Sequence, residues 1–234
     1  MAEIIPAILS DSFKELEDKL SILSGHTALA HIDVSDATLT PRANWPYAGG
    51  SGEWEAIQKE ERGFPYWEEM NFEAHLMVKS PEAIYQDWIR AGAERIVVQY
   101  EAFDTDEECS SFLLKYAEHF EGQDHLKVEV GLAVGLDTPI SKVLDHVLEC
   151  DFIHLMSIRE LGAQGNEFEE GVFEKIAELR SSYPETIISI DGGVNLENAE
   201  RLIEAGADRL VVGSYIWKAE QPLDALEDLV LETE

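Results

Sequence analysis

Basic residues are scarce in this chain. Lys and Arg number 17 against 48 Asp and Glu, a formal charge of −31 at pH 7 over 234 residues. A protein that grips a nucleic acid backbone needs clustered Lys and Arg to displace counterions, so nucleic acid is excluded as a partner. Anionic membrane surfaces are excluded on the same ground. Long hydrophobic runs are also lacking. Stretches such as Leu210–Val212 fall far short of the roughly 20 apolar residues that cross a bilayer. Cysteine is limited to Cys109 and Cys150, without metal-type spacing, and free thiols in a reducing cytoplasm are expected. No basic segment precedes an apolar stretch after Met1-Ala2-Glu3, so no signal peptide is expected. The excess acid reads as a solvated surface that keeps the protein soluble. An anionic substrate must then find a local positive site inside a negative field.

What is present is a rhythm. Short apolar runs at Ile4–Leu9, Ala28–Val34, Phe72–Val78, Arg95–Gln99, Lys127–Leu132, Phe152–Met156, Ile187–Ile190 and Arg209–Val212 read as strands. Between most of them apolar residues recur three and four apart, as in Phe13, Leu16, Leu20, Leu23 and in Leu196, Ala199, Leu202, Ile203. Caps stand where helices should start: Asp11-Ser12, Ser80-Pro81 and Asn195. Eight strands alternating with helices predict a parallel sheet closed on itself, an α/β protein made of a single (β/α)8 TIM barrel domain over residues 1–234. An internal repeat supports closure. Ala91-Gly92-Ala93-Glu94-Arg95-Ile96-Val97-Val98 returns as Ala205-Gly206-Ala207-Asp208-Arg209-Leu210-Val211-Val212, and the offset from Ala91 to Ala205 is 114 residues. One connection is long. The loop over 37–70, after the second strand, holds a short helix predicted at Glu53–Arg62 and the aromatics Trp45, Tyr47, Trp54, Tyr66 and Trp67. These read as packing of the loop on the barrel, with a substrate-covering lid or a subunit contact as alternatives.

In such a barrel the chemistry sits at the C-terminal ends of the strands. His31 and Asp33 are two apart in the second strand and share a face, while Ile32 and Val34 face the helices. The third strand ends with His75 and the seventh with Asp191. Inward polar groups without partners would be costly, and a metal resolves that cost. His31, Asp33, His75 and Asp191 together suit one divalent ion per chain, Zn, Fe, Mn or Co. A salt-bridged polar core layer is the other reading. Gly192 and Gly193 after the seventh strand, with Gly213 and Ser214 after the eighth, mark an anion site where backbone N–H groups approach a phosphate.

With these residues in place, the chain resembles the ribulose-phosphate 3-epimerase family. The resemblance is carried, in order along nearly the whole chain, by Pro6-Ala7-Ile8-Leu9-Ser10, His31-Ile32-Asp33-Val34-x-Asp36 and His75-Leu76-Met77-Val78. Met156, Asp191-Gly192-Gly193-Val194-Asn195 and Gly213-Ser214 continue it. It implies that His31, Asp33, His75 and Asp191 bind the metal. It also implies that Asp33 and Asp191 exchange protons on opposite faces of a sugar carbon through an enediolate, with Met77 and Met156 beside it. The implied substrate is a ketose phosphate of the ribulose 5-phosphate/xylulose 5-phosphate type. A hexulose 6-phosphate, or an inactive sugar-phosphate-binding barrel, are the alternatives. A barrel aldolase would want an inward lysine, and neither Lys79 nor Lys218 is well placed. The expected partners are the small-molecule sugar phosphate and further copies of the chain.

The chain departs from the family in its substrate shell. Ala7 stands where the family has Ser, Ser35 and Ala37 where it has Met and Gly, and Gln99 where a His is common. The loop after the sixth strand reads Arg159-Glu160-Leu161-Gly162-Ala163-Gln164-Gly165-Asn166 instead of the family's glycine-rich run. Arg159 and Gly162 in it are further substrate-side candidates, Arg159 facing either phosphate or neighbouring acids. His154 shares the inward parity of Met156 and reads as a core histidine. His26, His119, His125 and His146 read as solvated.

Overall fold

The computed structural model describes residues 2–49, 52–121, 127–163 and 165–233. His125 and Gln164, named above, lie outside them, as do Gly50 and Ser51 of the loop after the second strand. Eight parallel strands close into a barrel in chain order: β1 (Glu3–Ile8), β2 (Leu29–Ser35), β3 (Asn71–Met77), β4 (Arg95–Gln99), β5 (Glu129–Val134), β6 (Phe152–Met156), β7 (Ile187–Asp191) and β8 (Arg209–Val212). The circle shuts where Glu3 of β1 registers with Arg209 of β8. Outside run α1 (Phe13–Leu23), α2 (Gly52–Gln58), α3 (Tyr85–Arg90), α4 (Asp106–His119), α5 (Val172–Ser182), α6 (Leu196–Ala205), α7 (Ser214–Lys218) and α8 (Pro222–Glu232). The expected strands are all present. β5 begins at Glu129, two residues later than the apolar run suggests, because Glu129 registers with Arg95 and the strand continues through Ala133 and Val134. Between β5 and β6 the chain makes two 3-10 turns, Ile140–Lys142 and Leu144–His146, in place of an α-helix.

Strand parity sorts the side chains. Ile32, Val34, Leu76, Val98, Leu132, Leu155, Ile190 and Leu210 are fully buried in the layer between sheet and helices. There they meet the Phe13, Leu16, Leu20 and Leu23 face of α1. The barrel interior holds only small apolar groups, Ile5 with Ala7, Leu29 and Val211, and Val97 with Ala133 and Phe152. Beyond these and the two methionines Met77 and Met156, much of the interior is polar. At its N-terminal floor Arg95 and Arg209 both pair with Glu3 and Glu129. The repeated segments behave alike. Gly92 and Gly206 have φ of +102° and +113°, and each lets a helix turn directly into a buried strand, β4 or β8.

The loop after β2 is packed rather than loose. Trp45, Trp54, Phe64, Phe72 and Trp88 are all buried and in ring contact, including Trp54–Trp88 at 4.2 Å and Phe64–Phe72 at 4.0 Å. These aromatics therefore fix the loop to β3 and α3 and do not form a lid. Tyr47 and Trp67 remain exposed. The helix inside the loop stops at Gln58 rather than Arg62. Glu60 takes φ +58° and Glu61 N–H reaches back to Ala56 O, a left-handed turn that ends the helix. Asn44 ties the loop to β2. Its Oδ1 accepts from Ser35 N–H at 2.7 Å and its Nδ2 donates to Asp33 O at 2.7 Å.

Candidate active site

The expected parity places His31, Asp33, His75 and Asp191 together inside the barrel mouth. Both imidazoles are fully buried, and Asp191 is 9% exposed. Asp33 Oδ1 lies 3.3 Å from His31 Nε2 and 3.3 Å from His75 Nδ1. Asp191 Oδ2 lies 3.9 Å from His31 Nε2 and 3.8 Å from His75 Nδ1. His75 Nδ1 has no hydrogen bond at these distances, although it is buried. Two carboxylates and two ring nitrogens aimed at one small volume, with an orphaned nitrogen among them, fit a divalent cation.

The far side of each imidazole is held. His31 Nδ1–H donates to Glu73 Oε1 at 2.7 Å. Glu73 is 1% exposed and registers with His31 across β2 and β3. In a neutral His31 this puts the lone pair on Nε2, facing the carboxylates. Gln99 stands 2.7 Å from His75 Nε2, and its Oε1 is buried without a partner. A half-turn of that amide makes Oε1 the acceptor for a His75 Nε2–H and frees Nδ1 toward the carboxylates. Glu73 was not singled out in the sequence as part of the site, and Gln99 was noted only as standing where a His is common in the family. The signal for Glu73 is an acid two residues before His75, of the same inward parity.

Burial alone would push the Glu73 carboxyl up. The hydrogen bond and charge of His31, with Arg95 behind, hold it down to about 2. Asp33 is likewise held well below the usual carboxylate range, against burial, by His31 and His75. His31 rises well above its ordinary value because Asp33 and Glu73 outweigh its burial. His154, which the sequence assigns to the core, belongs to the same polar cluster. Its Nε2 is 3.4 Å from Asp191 Oδ2, and burial pushes its pKa down. His146 is not solvated either. It is buried and bonded to Glu149 at 2.8 Å.

Above this cluster a small cavity is lined by Ala7, Asp33, Met77, Met156, Asp191 and Ile158, and closed by Gly162, Gly192, Gly193, Gly213 and Ser214. The glycines are required. A Cβ at Gly192 would lie 2.7 Å from Ile158, and one at Gly193 would lie 2.8 Å from the Phe168 backbone. A Cβ at Gly162 would meet Thr40 at 2.7 Å, so the loops after β2 and β6 touch over the cavity. Arg159 does not face this cavity. Its guanidinium binds Glu169 at 2.7 Å and Asp137 at 3.0 Å on the surface, because acids crowd the end of the loop. Lys79 is similarly taken by Asp104. Cys109 and Cys150 are free thiols, and no helix among the described residues is long and apolar enough to cross a membrane.

The chain is 29% identical to the ribulose-phosphate 3-epimerase of Schizosaccharomyces pombe, covering 97% of this chain and 92% of that protein. It is 31% identical to the enzyme of that name from Serratia marcescens, covering 92% and 94%. Among solved structures, KGPDC from Streptococcus mutans superposes with a TM-score of 0.67 at 13% identity, covering 100% of this chain and 97% of that one. A 3-hexulose-6-phosphate synthase superposes with a TM-score of 0.66 at 15% identity, covering 100% and 99%. These two likenesses show the barrel fold. The sequence model of the Ribulose-phosphate 3 epimerase family matches residues 3–217, and the chain belongs to that family of carbohydrate epimerases.

Proposed function

We propose that this protein interconverts ribulose 5-phosphate and xylulose 5-phosphate, with Asp33 and Asp191 as the two proton carriers and with His31, Asp33, His75 and Asp191 holding one divalent metal. The observation that carries the reading is the convergence of Asp33 and Asp191 on the same two buried imidazoles. Inverting a carbon beside a ketone means breaking its C–H bond and making a new one on the other face. One carboxylate starts ionised and takes the proton. The C–H electron pair then becomes part of an enediolate, whose negative charge sits on the former carbonyl oxygen. The other carboxylate starts protonated and returns a proton from the opposite side. A divalent ion in this position supplies electrostatic stabilisation of that charge. Met77 and Met156 keep water from the reacting carbon. Gly192, Gly193, Gly213 and Ser214 receive the phosphate through backbone N–H groups.

The test is turnover in deuterium oxide. Solvent deuterium is expected at C3 of the recovered ketose phosphate. Asp33→Asn and Asp191→Asn, checked for retained metal, should each lower the rate by about 10²–10⁴-fold. A metal-replete single variant that epimerises at the wild-type rate would refute the two-carboxylate scheme.

A further inference from the structure

His154 is the inward residue of β6 between Phe152 on the barrel floor and Met156 in the cavity. It is fully buried, its ring stacks on His31 with centroids 5.5 Å apart at 10°, and it lies 5.1 Å from the His75 ring. One donor atom each from His31, His75, His154 and Asp191 fall within 4.8 Å of one another. The 3.4 Å from His154 Nε2 to Asp191 Oδ2 is long for an N–H···O hydrogen bond, which favours about 2.7–3.2 Å. It matches two atoms that share one ion. Five donors around one ion at about 2.0–2.1 Å put neighbouring ligand atoms roughly 2.9–3.6 Å apart. The Asp33 contacts to His31 and His75 have this same spacing, 3.3 Å. His154 Nδ1 has no partner, so no hydrogen bond of that nitrogen explains the ring's orientation.

We propose that His154 is a third imidazole donor to the metal centre, and that the site therefore selects a nitrogen-preferring ion such as Zn2+ or Co2+ over Mn2+ or Mg2+. This rests on the metal reading given above. Three neutral imidazoles beside carboxylates shift a site toward the borderline-soft ions, because Mn2+ and Mg2+ gain less from exchanging oxygen for nitrogen. As a neutral donor, His154 adds affinity without adding to the negative charge of Asp33, Asp191 and Glu73.

The experiment uses full-length protein stripped with a chelator, then titrated with Co2+ and followed by visible absorption. Zn2+ and Mn2+ affinities are measured in parallel by competition with a chromophoric chelator. The variants are His154→Gln, which keeps an N–H group toward Asp191, and His154→Leu, which keeps bulk without polarity. Thermal melts of the metal-free proteins establish that both fold. If His154 is a ligand, both variants shift the Co2+ absorption band and lower the Zn2+:Mn2+ affinity ratio by about tenfold or more, with Mn2+ affinity nearly unchanged. An unshifted band and an unchanged ratio in His154→Gln would overturn the assignment. So would an equal loss for both ions, which would mean that His154 acts only by positioning Asp191. If the wild-type protein binds neither Co2+ nor Zn2+, the metal reading itself falls and the assignment with it, a result distinct from the other two.

Discussion

His31 and Glu73 face each other in register across β2 and β3, and the 2.7 Å bond between them turns a strand pair into a fixed imidazole orientation. Glu73 in turn lies 3.6 Å from Arg95, whose other partners, Glu3 and Glu129, stand at the barrel floor. The orientation of the His31 nitrogen that faces Asp33 and Asp191 is thus anchored to an ion network at the opposite end of the barrel.

Replacing Glu73 by Gln keeps the shape and removes the charge behind His31. The dissociation constant for Zn2+ is expected to rise by about 10–100-fold, the usual effect of losing a partner behind a ligating histidine. Chelator competition measures it. An unchanged constant would show that His31 is oriented by something else.

The same residue sets an acid limit for the metal-free protein. Its carboxyl titrates at about 2 in the fold against about 4.3 in an unfolded chain. Asp33 is depressed in the same direction. Depressed carboxylates stabilise the fold fully above the unfolded pKa, and that contribution drains away as pH falls through the folded value. Denaturant midpoints of metal-free protein should therefore drop between about pH 5 and pH 2. Glu73→Gln should flatten part of that slope. His31 has the opposite sign. Its raised pKa stabilises below about pH 6.5, and the benefit fades as pH climbs through the folded value.

In the proposed reaction the phosphate is received by the glycine cradle and not by Arg159. Gly213→Asp puts a carboxylate where the anion belongs, and KM for ribulose 5-phosphate should rise by about tenfold or more with a smaller effect on kcat. Arg159→Ala should leave KM within about twofold, since that guanidinium serves surface acids. Steady-state kinetics on both variants decide the matter, and the reverse pattern would move the phosphate to Arg159.

The aromatic loop is a packing element, so Trp54→Ala should cost about 3–5 kcal/mol of stability while leaving kcat/KM near the wild-type value at a temperature where the variant is folded. A large fall in kcat with little loss of stability would restore the lid reading.

The strands were legible because buried parallel strands are near-continuous apolar runs, and in seven of the eight both ends fall within one residue of the apolar run. β5 slipped by two, since the Arg95–Glu129 register across strands has no local signal. The convergence of His31, Asp33, His75 and Asp191 was legible from parity. Their supports were not, since Gln99 stood out only as a replacement for a family His, and its 2.7 Å approach to His75 has no sequence signal. His154 had the right parity, but sequence does not say whether a buried histidine meets an apolar neighbour or, as here, three other donors. Arg159 and His146 were left open or misplaced. The partners of Arg159, Asp137 and Glu169, come from other segments, and although Glu149 lies only three residues from His146, nothing local shows that this turn is buried.

Asn44 reaches the Asp33 carbonyl and the Ser35 amide in the pattern that a residue on a neighbouring parallel strand would use opposite Val34. β1 last registers with β2 at Ile8–Ile32, so the loop amide supplies the next rung of the ladder on that side. The two ends of the long loop therefore have unequal freedom over evolutionary time. Insertions or deletions beyond Asn44 trade against aromatic packing and side-chain pairs such as Arg62–Glu17. A deletion before it withdraws a rung from the barrel wall at Asp33, the residue whose carboxylate faces both buried imidazoles, which makes the start of this loop a heritable part of the sheet.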